Sequence, residues 1–159
     1  MAKTQIEGNV DVVRCLRESA SLHLTAIETY TGQAAHLERW GYPKLAEKME
    51  AEAADERGHL NGLLALLERY DEPPDWSHDV PDWPRHDFVG LLTANLAMER
   101  AAADVEEQGV RAACEALDED VARVFRENLR ASRQSIDEIT ATLLVIDDVS
   151  VQNYLANQT

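Results

Sequence analysis

"DEPPDWSHDVPDWPRH", residues 71–86, carries four of the chain's five prolines and two of its three tryptophans. Proline removes a backbone donor and clashes with the preceding turn, so this stretch cannot be a helix. On both sides lie long segments of helix-forming residues with little proline or glycine. The first predicted helix runs from about residue 10 to residue 40 and stops at "GYP"; the second covers about residues 43–70. Beyond the proline-rich stretch, a third covers about residues 87–117 and a fourth about residues 119–148, joined by the short "DED" turn. Short links imply antiparallel neighbours. The 159 residues therefore predict one all-α domain: two helical hairpins joined by one long crossover, with "VQNYLANQT" adding a short last helix over about residues 149–156.

Composition limits the partners. The formal net charge is -15, which repels nucleic acid phosphates and anionic lipid. No apolar run approaches the roughly 20 residues needed to span a bilayer, and the first residues lack the features of a signal peptide. Cys15 and Cys114 show no paired spacing. A soluble chain in a reducing, cytoplasmic setting is expected, with no nucleic acid and no membrane among its partners. The acidity suits either a halophilic surface or a shell that attracts cations.

The apolar seams show what is buried. In the first helix Leu16, Ala20, His23, Ile27, Tyr30, Ala34 and Leu37 follow alternating steps of four and three. In the second, Leu45, Met49, Glu52, Glu56, His59, Leu63, Leu66 and Tyr70 follow the same rule, with three ionisable residues in the middle. The third places Glu99 after Phe88, Leu92 and Asn95 or Leu96. The fourth runs Val121, Phe125, Leu129, Ser132, Ser135 or Ile136, Ile139 and Leu143.

Burying an unpaired carboxylate costs on the order of several kcal/mol, so core glutamates need protons, cationic partners or a metal. Residues three apart share a helix face, which lets Glu56 and His59 hold one ion together. Glu99 and His23 would join them from neighbouring helices. The opposing reading is a solvated acidic stripe, since Glu47, Glu50, Asp55 and Glu68 share the second helix. His36, His78 and His86 read as surface residues. The two steps that lead from His23 to Glu56 and His59 also lead from Glu99 to Ser132 and Ser135, so the hairpins have equivalent positions.

The segments "LTAIETY", "RWGYPKLAEKMEAEAADERGH", "LAMER" and "VQNYLANQT" resemble the bacterioferritins over nearly the whole chain. The resemblance implies the ferritin-like four-helix bundle with a short fifth helix. It also implies a cage of about 24 subunits, with about 12 as the smaller alternative, that stores iron and oxidises Fe(II) at a di-iron centre inside each bundle. By position, Glu56, His59 and Glu99 match three ligands of that centre and Tyr30 matches a tyrosine beside it. Glu52 and Asp55 match acidic positions nearer the cavity. His23 replaces a glutamate ligand, and Ser132 and Ser135 replace the second Glu/His pair.

The haem-ligating methionine of that family falls at Arg57, so no haem is expected. Two carboxylates and two imidazoles neutralise one divalent ion, not two. The expected centre is mononuclear, made of His23, Glu56, His59 and Glu99 and holding iron, or zinc as the second choice, with impaired ferroxidase activity aided by Tyr30. The alternative is a catalytically inactive structural subunit that builds the cage alone or with a second subunit type carrying the complete centre.

Overall fold

A computed structural model of the chain describes residues 2–159, with side chains described from Asn9 onward. Five helices follow in order: α1 (Ala2–Trp40), α2 (Pro43–Arg69), α3 (Phe88–Glu115), α4 (Glu119–Val149) and α5 (Val151–Ala156). Among the described residues there is no strand. The four long helices form a bundle in which α1 pairs with α2, α3 pairs with α4, and the pairs meet chiefly where α1 lies on α3. α2 and α4 touch only sparingly. α1 begins at Ala2, ahead of the expected start at about residue 10.

The turns are made by identifiable residues. Gly41, at φ 99°, lets α1 close with Tyr42 N–H on Leu37 O at 2.9 Å and Gly41 N–H on Glu38 O at 3.2 Å. Pro43 then opens α2 at a position where no amide hydrogen is needed. The α3–α4 turn uses the same double bond, Leu117 N–H to Cys114 O and Asp118 N–H to Ala113 O, with Leu117 at φ 58°. α3 therefore ends at Glu115, short of residue 117. Asp118 then caps α4 by accepting from the Val121 N–H.

The crossover has no regular structure of its own, and α1 side chains satisfy its carbonyls. The Ser21 hydroxyl donates to Asp75 O and Ser77 O, and the Thr25 hydroxyl to Asp79 O. Arg17 donates to Pro73 O and pairs with Glu72. Trp83 packs against the core below it, whereas Trp76 is exposed. His36 was expected at the surface, yet its ring is half-buried between Trp40, Trp83 and His86, because the returning crossover lays Trp83 over it. His86 is exposed, and half-buried His78 sits 3.1 Å from Glu28.

All seven seam residues of α1 are buried. The apolar core falls into two clusters. One gathers Leu16, Leu63, Leu67 and Phe125, the other Leu37, Leu45, Phe88 and Leu91. Each such side chain contributes about 1.5–3 kcal/mol on burial. Within the second cluster's reach, the Gln33 and Asn95 amides bond reciprocally at 2.7 and 2.9 Å. On α4 the seam departs from expectation: Asn128 is buried and Leu129 only partly so. Ile136, Ile139 and Leu143 are also only half-buried, since α4 and α2 touch only sparingly. α5 closes that end, stacking Tyr154 on Phe88 at 5.8 Å between centroids.

Candidate metal centre

Between the two apolar clusters the bundle turns polar, and His23, Glu56, Glu99, Glu106, Asn128 and Ser132 are all buried there. α1 supplies His23, α2 supplies Glu56 and His59, and α3 supplies Glu99 and Glu106. Each arrives on the same helical repeat that places leucines above and below it.

His23, Glu56 and His59 converge. One ligand atom from each lies within 4.8 Å of the others. His23 Nδ1 is hydrogen-bonded to Glu56 Oε2, and His59 Nδ1 lies 3.9 Å from the same oxygen. The two rings meet edge to face at 5.3 Å. His59 Nδ1 is buried and has no hydrogen-bond partner among the described residues, which is an unfinished arrangement for a polar atom in a core. A transition-metal ion binds such donors at about 2.0–2.2 Å, so modest side-chain rotations would bring all three onto one ion.

Glu99 turns elsewhere. Its Oε1 accepts a 2.5 Å hydrogen bond from the Tyr30 hydroxyl, itself buried. Burial, with the negative charge of Glu56, pushes the Glu99 carboxyl up to about 8 against the pull of that bond. Burial and Glu99 raise Tyr30 well above the usual phenol range.

Sequence reasoning missed Glu106, which is fully buried. Its Oε1 lies 3.1 Å from His23 Nε2 as an ion-pair contact. Among the described residues neither Glu106 oxygen has another partner, and the contact lacks the direction of a hydrogen bond. His23 is thus enclosed by two carboxylates. Burial alone would lower its pKa, but Glu106 and Glu56 outweigh burial and raise it to about 9. For Glu56, burial is overcome by the hydrogen bond to His23 and the nearness of both imidazoles, and the carboxyl falls to about 2. The signal for Glu106 was present, because it follows Glu99 by one heptad, as Glu99 follows Leu92.

The sparse α2–α4 contact leaves a cleft lined by Glu52, Asp55, His59, Ser135 and Glu138 that reaches Glu56. Lys48 Nζ stands 3.5 Å from Glu138 beyond it. Ser132 is buried and Ser135 half-buried, so both serines belong to the polar midsection. Glu56 and His59 both line this polar cleft.

The profile of the ferritin-like domain matches residues 14–149. The chain is 26% identical to the bacterioferritin of Mycobacterium avium over 151 residues, 95% of each chain. It is 25% identical to that of Streptomyces coelicolor over 151 residues, 95% of this chain and 90% of the other. It superposes on Rhodobacter capsulatus bacterioferritin with a TM-score of 0.89 at 21% identity, covering 94% of both. That structure is described with a metal-free dinuclear site and a haem iron. The chain belongs to the ferritin-like family. Within it, the similarity is to the bacterioferritins, in sequence over nearly the full length and in fold.

Proposed function

We propose that this chain binds one divalent transition-metal ion, iron first, between His23, Glu56 and His59, with Glu99 as fourth ligand. It would do so within an iron-storage assembly of the bacterioferritin kind. The observation that carries this is the convergence of three donor atoms within 4.8 Å, one of them the unpartnered Nδ1 of His59. Two nitrogens with carboxylate oxygens suit Fe(II) or Zn(II).

Iron bound there supplies one electron at a time, so its oxidation is expected to be slow beside that of a paired centre. Tyr30 holds Glu99 by its Oε1 and fixes where that carboxylate stands. To serve as a ligand, Glu99 gives up the proton that burial favours. Haem has no place in this proposal, because Arg57 is exposed and a guanidinium cannot ligate iron.

A second reading, a structural subunit without catalysis, draws on a different observation. A protonated His23 between Glu56 and Glu106 balances much of the buried negative charge with no ion at all. Such a subunit would build the cage alone or alongside one with the complete centre.

Metal content separates the two readings. Protein exposed anaerobically to Fe(II), or to Zn(II), is expected to keep one ion per chain after desalting, and the His59→Ala variant to keep none. Equal metal in both would reject the proposed site.

A further inference from the structure

We propose that Glu106 is a positioning residue for this centre: it accepts a hydrogen bond from the Nε2–H of His23, holds the proton on that nitrogen, and so presents the bare Nδ1 to a metal beside Glu56 and His59. The inference rests on the metal-site reading above. His23 Nε2 and Glu106 Oε1 are 3.1 Å apart, with side chains 1% and 0% exposed. Among the described residues neither Glu106 oxygen finds any other donor.

A neutral imidazole has one N–H and one lone pair, and a carboxylate only accepts. His23 lies between two carboxylates, so in its neutral form it can satisfy one of them with a proton. The other then faces a lone pair, and a cation between them must resolve the repulsion. The two sides are not equivalent. Glu56 lines the cleft together with His59, which adds a third donor, whereas Glu106 is fully buried. The proton therefore belongs on Nε2 and the ion on the Nδ1 side.

A histidine bound to metal through one nitrogen commonly gives its other N–H to a carboxylate, which fixes the tautomer and strengthens the donor. Glu106 fills that place here. It also accounts for a buried glutamate that the four proposed ligands leave without a role.

Zinc alone is the probe, since it is diamagnetic and does not change oxidation state. In protein carrying 15N-labelled histidine and loaded with Zn(II), long-range 1H–15N correlation is expected to show His23 protonated at Nε2 and zinc-shifted at Nδ1. The opposite assignment overturns the proposal without any variant. Glu106→Gln removes the charge, and Glu106→Leu removes charge and acceptor together. Zn(II) affinity is expected to fall about 10-fold in the first and toward 100-fold in the second. Affinities within about twofold of the parent in both variants overturn the role of Glu106. If His59→Ala abolishes binding while the Glu106 variants match the parent, only this inference fails. A parent that binds no zinc refutes the site and the positioning role together.

Discussion

His23 Nε2 stands 3.1 Å from Glu106 Oε1, and the same ring's Nδ1 is hydrogen-bonded to Glu56, so one imidazole ties α1 to both α2 and α3. Without metal, this clamp is strongest when the ring is protonated and both carboxylates are charged.

The metal-free protein should accordingly lose stability on the alkaline side. The pKa of His23 is raised from 6.5 to about 9, so its contribution is complete below pH 6.5 and disappears as the pH rises through 9. Glu99 adds to the trend: raised from 4.5 to about 8, it favours folding least once the pH exceeds 8. Glu56, lowered from 4.5 to about 2, contributes above pH 4.5 and loses its effect as the pH falls through 2. Thermal melts of metal-stripped protein should peak near pH 5 to 6 and decline toward pH 9, with a loss on the order of a few kcal/mol. His23→Gln should flatten the decline. A melting temperature that climbs from pH 7 to 9 would contradict the clamp.

Rebuilding the second half of the centre should double its capacity. His23→Glu, Ser132→Glu and Ser135→His restore the bacterioferritin pattern, but they strip Glu106 of the imidazole that faces it. An uncompensated buried charge costs about 3–5 kcal/mol. The three changes alone should therefore yield an unstable protein, and adding Glu106→Leu should recover it. Iron titration of the fourfold variant is expected to reach two Fe(II) per chain, with oxidation well above the parent rate. An unchanged rate would show that the serines do not face the ion.

Leu117 is 86% exposed and sits at φ 58°, a conformation that glycine adopts freely and leucine does not. Leu117→Gly should stabilise the protein by about 1 kcal/mol without touching the centre. Chemical denaturation measures this directly, and a lower midpoint would mean that the leucine makes a contact in the assembly.

The prolines of the crossover and the four seams carried the architecture in the sequence, because both rest on local rules that packing did not override. The burial of His23 and Glu56 was legible for the same reason, since each interrupts an apolar repeat at mid-height, whereas Tyr30 was singled out by the family resemblance. Glu106 escaped because it begins a pair of glutamates in an acidic run, and the residue that follows it is partly exposed. Asn128 escaped because a step of three and a step of four both fit the α4 seam, and the apolar Leu129 was the more natural choice. That Glu99 turns to Tyr30 depends on rotamers, which no spacing records.

The reciprocal amides of Gln33 and Asn95 bear on how the bundle finds its alignment. An apolar repeat of seven is nearly indifferent to sliding α1 along α3 by two turns, since leucine meets leucine again. The amides are not indifferent. Slid either way, Gln33 would face Ala102 or Phe88, and two buried amides would be left unpaired at about 1–3 kcal/mol each. A leucine pair at these positions would be greasier and less discriminating. The chain thus proofreads its own helix alignment with one pair of side chains, and only the aligned state brings His23 level with Glu106 and Tyr30 level with Glu99.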